Sequence, residues 1–124
     1  MVWIPSIEYI EFLFRDQIKV GQLMNRQGLL STIDKATWGI PFQDTPTIWD
    51  KATILYKEII ESHYFSDGNK RIGSLLAFIF LFKNGYEFSP PKGEIYKFTM
   101  DVAQGLRSFA EIKDWFKKYS RKEG

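Results

Sequence analysis

The sequence predicts an all-α protein, a compact bundle of six helices around a central hydrophobic helix, with a short flap loop or hairpin as its irregular part. Three observations lead there. Apolar residues recur at three- and four-residue spacing through every long segment, which is the period of a helix with one buried face. Two segments open with a pair suited to a capping box, Thr47 with Asp50 and Ser108 with Glu111. The longest apolar run, Leu75 to Phe82, is a core helix, because a membrane span needs roughly 20 such residues.

Pro5 and Ser6 open the first helix, and Ile7, Ile10, Phe14 and Ile18 follow at helical spacing. Gly21 and Gly28 interrupt what comes next. The stretch Asn25-Arg26-Gln27-Gly28-Leu29-Leu30 leads into a short second helix that carries Leu29, Leu30, Ile33 and Ala36 inward. Residues 37–46 include Gly39, Pro41 and Pro46, so the helix stops and a loop or short irregular hairpin follows, the one place where strand is expected. The third helix runs from Thr47 to Ser62 with the apolar row Ile48, Ala52, Leu55 and Ile59. His63 is the next member of that row, which sets it at the end of a core-facing stripe. The fourth helix, Asn69 to Asn84, is apolar nearly all round, as a helix enclosed by others should be. Within it Gly73 lets a neighbour approach closely, and Asn84-Gly85 ends it with a left-handed cap. Ser89-Pro90-Pro91 starts the fifth helix, with Ile95, Phe98, Val102 and Leu106 on one face. Phe109, Ile112, Phe116 and Tyr119 form the stripe of the sixth.

Composition narrows the class. A chain of 124 residues is large enough to bury a core as one domain spanning 1–124. It is 44% hydrophobic and 17% aromatic, which excludes a disordered chain and points to a core built on rings. There is no cysteine and one histidine, so disulfides, thiolate sites and structural zinc are all excluded. The net charge of +2 is too mild for a nucleic-acid domain, despite the basic run Lys117 to Lys122, and no direct nucleic-acid partner is expected. The N-terminal residues carry no signal-peptide pattern, so a cytoplasmic protein with no membrane partner is expected.

Between the third and fourth helices, His63-Tyr64-Phe65-Ser66-Asp67-Gly68-Asn69-Lys70-Arg71 gathers the sole histidine, a carboxylate, a glycine, an amide and two cations. A polar loop feeding a helix N-terminus suits phosphate, because first-turn N–H groups lack intrahelical partners and the helix dipole favours negative charge. Each residue also has an ordinary use. His63 serves equally as a C-terminal cap, Asp67 as an N-cap, Asn69 as a turn residue, and Lys70 and Arg71 as solvated charges.

These nine residues resemble the signature loop of the Fic/Doc family. Lys70 follows the asparagine, and Ser74 stands where Fic proteins carry a second arginine; both features resemble the Doc (death-on-curing) toxin branch. Arg26-Gln27-Gly28-Leu29-Leu30-Ser31 is similar to the segment before the flap of Doc-like proteins. Tyr64 departs from the pattern, which commonly has proline there.

The resemblance implies a Fic/Doc-like bundle and a set of roles. His63 is implied as general base and Asp67 as ligand of Mg²⁺. Gly68, Asn69, Lys70 and Arg71 are implied in binding the phosphates of ATP, with Lys70 also stabilising charge on the transferred group. Phe65 is the anchor of the loop. Gly39, Ile40, Pro41 and Phe42 form a flap edge that pairs with a segment of the target, or else an ordinary connection. The Doc branch implies an ATP-dependent protein Ser/Thr kinase that modifies a translation elongation factor and is neutralised by an antitoxin. AMP transfer to a protein hydroxyl, as in Fic enzymes, is the alternative reaction, and a non-catalytic protein-binding module is the alternative class. No Ser/Thr-x-x-x-Glu-Gly/Asn inhibitory helix occurs in the chain, so restraint is expected from a separate protein.

Overall fold

Ser6 fixes where the chain first turns helical: its hydroxyl accepts the N–H of Tyr9, and helix α1 (Ile7–Leu13) buries Ile7, Ile10 and Leu13. In the computed structural model, which describes residues 1–123, α1 widens into a π-helical turn, Phe14–Ile18, ended by Lys19 in the left-handed conformation. The turn keeps Phe14 and Ile18 in the core.

Helix α2 (Arg26–Trp38) is capped by Asn25, whose side chain accepts the N–H of Gly28. Gly28 thus lies inside the helix and does not break it, and the helix runs through Thr37 and Trp38, where the sequence suggested loop. Leu29, Thr32 and Ala36 are its buried residues, while Leu30 is exposed. At 3.6 residues per turn Leu30 is rotated about 100° off the face that Leu29 and Thr32 share. Thr32 is tolerated in the core because its hydroxyl is bonded.

Helix α3 (Ile48–Ser62) opens with the capping box of Thr47 and Asp50. Asp50 is 2% exposed and lies 3.0 Å from Lys113. Burial pushes its carboxyl up, but the Thr47 side chain and Lys113, with the Thr47 backbone N–H, outweigh that and hold it below its ordinary range.

The helix at the centre is α3, not the more apolar one after it. It packs against α2, α4 (Asn69–Lys83), α5 (Glu94–Ala103) and α6 (Phe109–Lys118), and every residue from Asp50 to Tyr56 is buried. Helix α4 buries Ile72, Leu76, Ala77, Phe80 and Leu81 but leaves Leu75 and Phe78 half-buried and Phe82 exposed. One apolar face of α4 is therefore open. Gly73 brings the two helices together: a Cβ there would meet Ile60 Cγ1 at 2.7 Å.

Strand occurs where the sequence did not suggest it. β1 (Tyr86–Phe88) and β2 (Ser120–Lys122) pair antiparallel, with Glu87 opposite Arg121. Ser89-Pro90-Pro91 belongs to the connection after β1, with the Ser89 N–H donated to the Tyr119 carbonyl, and α5 starts later, behind left-handed Gly93. Helix α5 ends at Ala103, so Leu106 is exposed and falls outside the stripe assigned to it. Helix α6 has the capping box of Ser108 and Glu111 and buries Ile112, Trp115 and Phe116. Rings fill this side of the core: Trp115 stacks on Phe98 at 3.9 Å and Phe116 meets Tyr56 edge-on at 5.1 Å. Among the described residues the helices number six, as the sequence predicted, and none is long and apolar enough to cross a membrane.

Candidate active site

Helix α3 ends in His63, whose φ of +53° puts it in the left-handed region. That geometry stops the helical period, so His63 leaves the buried row and is exposed, contrary to the stripe reading. Tyr64 goes into the core in its place. Phe65 follows at 2% exposure, stacked on Phe14 with ring centroids 4.1 Å apart, so the loop is anchored to the π-helical turn.

Two further clamps hold the loop. Asn69, buried at the start of α4, accepts the Phe65 N–H at 3.0 Å and donates to the Phe65 carbonyl at 2.7 Å. Both ends of its amide are thus tied to Phe65, and its backbone N–H has no side-chain partner among the described residues. Ser66 donates its N–H to the Gln22 carbonyl and accepts the Gln22 N–H on its hydroxyl, both at 2.9 Å.

Gly68 occupies the N-cap of α4 with φ +78° and offers no side-chain cap. Among the described residues the N–H groups of Asn69, Lys70 and Arg71 have no side-chain partner, and they form the positive end of a 15-residue helix. A Cβ at Gly68 would lie 2.5 Å from Ile18 Cγ2 and 3.9 Å from Arg71 Nη2. Lys70 and Arg71 are exposed and form no ion pair among the described residues.

Asp67 is exposed, and one carboxylate oxygen accepts the neighbouring Gly68 N–H at 2.7 Å. It does not cap α4, since Gly68 holds that position. Among the described residues no three acidic or histidine side chains come together as a metal cage. The chemistry that fits a single carboxylate beside free N–H groups and cations is Mg²⁺ completed by phosphate oxygens and water.

Beside Lys70 and Arg71 opens a cavity of ≈ 630 Å³, with mostly apolar walls from Leu75, Phe78, Tyr96 and Met100. Ser74 and Thr99 also line it, with their hydroxyl oxygens 3.3 Å apart, and Thr99 Oγ1 is 2.6 Å from the buried Tyr56 hydroxyl. Burial raises the Tyr56 phenol well above its ordinary range, against the bond from Thr99, so it stays protonated. The sequence reading missed this cavity. Its walls come from the π-helical turn, α4 and α5, and no local spacing joins them.

The flap differs from an extended edge. Lys51 donates to the Ala36 carbonyl at 2.6 Å and so caps α2. Ile40 donates its N–H to Thr45 Oγ1 at 3.2 Å, and its carbonyl accepts the Gln43 N–H at 3.0 Å. Ile40 to Gln43 is a turn with Pro41 second and Phe42 third at φ +63°. Gly39, Ile40, Pro41 and Phe42 therefore form no strand, because both backbone groups of Ile40 are already bonded inside the loop. Phe42 is fully exposed at its tip.

The Fic/DOC family matches residues 8–81, from the second residue of α1 to two residues before the end of α4, with the whole loop between α3 and α4. Over 69 residues, 56% of the chain, the sequence is 32% identical to Toxin Doc of Mycolicibacterium smegmatis (strain ATCC 700084 / mc(2)155). The aligned stretch spans 48% of that protein, about half its length.

Proposed function

The chain belongs to the Fic/Doc family, and from that premise we propose that it is a Doc-type toxin which transfers the γ-phosphate of ATP to a hydroxyl of a target protein. The target proposed is a translation elongation factor, and a partner antitoxin is proposed to restrain the enzyme. The observation that carries this reading is the open N-terminus of α4. Among the described residues its N–H groups have no side-chain cap, left-handed Gly68 holds the N-cap, and the cations Lys70 and Arg71 beside it form no ion pair.

The transfer follows from these parts. The γ-phosphate rests against the N–H groups of Asn69, Lys70 and Arg71, where the helix dipole favours negative charge. Asp67 would hold Mg²⁺, which when bound neutralises phosphate charge. His63 takes the proton of the target hydroxyl as its oxygen attacks the γ-phosphorus. The bond from that phosphorus to the β–γ bridging oxygen breaks and ADP leaves, while Lys70 and Arg71 balance the charge that moves with it. The cavity beside them, ≈ 630 Å³, is of a size that suits a small-molecule site, and its apolar walls would receive the adenine. Lys70, standing after the asparagine, crowds the nucleotide pose of the AMP-transferring enzymes and favours the reversed one.

Intact mass of a purified elongation factor, after incubation with the protein, ATP and Mg²⁺, tests the reading beside His63→Ala. One added phosphate, absent with His63→Ala, is the expected result. One added AMP would keep the site and replace the reaction. No added group on any protein of a whole lysate would turn the reading into that of a binding module.

A further inference from the structure

Tyr64 takes no part in the transfer just described, yet its ring, its hydroxyl and its carbonyl are all fastened. It is 7% exposed and follows directly on left-handed His63. Its ring lies against Gly28 of α2, where a Cβ would come within 2.5 Å of Cε1 and 2.9 Å of Cδ1. Its hydroxyl is 2.7 Å from Thr32 Oγ1, and Thr32 donates to Glu58 Oε1 at 2.8 Å. The Thr32 proton is thereby committed, so the Tyr64 O–H donates to Thr32. Glu58 is held in turn by Lys35 at 3.1 Å. The Tyr64 carbonyl accepts the N–H groups of Met24 at 2.8 Å and Asn25 at 3.0 Å.

All three attachments fasten one residue to α2 and the segment that leads into it. A histidine at φ +53° persists only where its surroundings hold it there. We infer that Tyr64 is the positioning residue of His63: the Gly28–Thr32 face of α2 holds Tyr64, and Tyr64 fixes the backbone that presents the imidazole. Gly28 is glycine because the ring occupies the space of its Cβ. The inference rests on the proton-handling role of His63 for its kinetic consequence, but not for its structural one.

His63 is the single histidine, so the carbon–proton signal of its Cε1 reports its order without a substrate. In Tyr64→Ala that signal is expected to shift and broaden, while the indole signals of the core stay in place. The transfer kcat should fall about 10- to 100-fold, as a misplaced group does, with the KM for ATP nearly unchanged. Tyr64→Phe, which keeps the ring on Gly28 and both carbonyl bonds, should restore most of the loss. An unmoved His63 signal and an unchanged kcat in folded Tyr64→Ala would overturn the inference. If Tyr64→Ala does not fold, Gly28→Ala decides, because its Cβ displaces the ring at 2.5 Å and presses on the Asn25 cap at 2.7 Å, both of them supports of Tyr64; an unmoved His63 signal there overturns the inference equally. Undiminished transfer by His63→Ala would remove the proton-handling role alone, leaving the signal to judge the positioning.

Discussion

Gly68 meets two demands at once, a left-handed backbone and a missing Cβ, and only glycine meets both. Its φ of +78° strains any other residue, and an added Cβ would sit 2.5 Å from Ile18 Cγ2. Gly68→Ala is therefore expected to lower stability by about 1–3 kcal/mol. It should also weaken ATP binding, since the first turn of α4 must shift to make room. Denaturant melts and ATP titration of the same variant check the two effects together. Asn69 shows the opposite relation of residue to role. Its amide ties both backbone groups of Phe65 and so holds the loop.

At the scale of elements, the helix starts carry both the fold and its response to acid. The start of α3 joins Thr47, Asp50 and Lys113 in one bonded cluster, which couples α3 to α6. The Asp50 carboxyl is more acidic folded than its ordinary value of 3.8. Its contribution is then full above that value and is lost as pH falls through the lower folded value. Stability from this cluster should be flat above about pH 5 and decline below about pH 4. Asp50→Asn should lower stability at neutral pH by about 1–3 kcal/mol and flatten the acid limb. Urea denaturation of both proteins at pH 7 and pH 3 measures it. The α2–α3 pair matters differently, since the loop between α3 and α4 is held from α2 through Tyr64 and from the π-helical turn through Phe65.

For the whole molecule, the open face of α4 is the consequence that sequence patterning hid. A helix apolar nearly all round need not be enclosed; here one side packs on α3 and the other lines the cavity beside Lys70 and Arg71. Tyr96 is 71% exposed at that cavity, so Tyr96→Asp removes little core packing. It should leave the melting temperature within about 2 °C, a shift that corresponds to well under 1 kcal/mol for a chain of this size. Its ATP affinity should fall several-fold by calorimetry, because a carboxylate enters the place proposed for the adenine and repels the phosphates. Equal affinity would put the nucleoside elsewhere.

The sequence by itself determined the six helices, the two capping boxes and the loop from His63 to Arg71. These are local: apolar spacing, a cap three residues ahead and a motif in nine consecutive residues are all readable without knowing what packs where. Tertiary structure alone decided that His63 turns outward, that α3 and not α4 is central, and that Asn69 clamps Phe65. It also paired β1 with β2 across more than thirty intervening positions, from Phe88 to Ser120, and drew the π-helical turn, α4 and α5 around one cavity. Each of those depends on which surfaces meet. A period of 3.6 states which face of a helix is apolar, and only packing states what covers it.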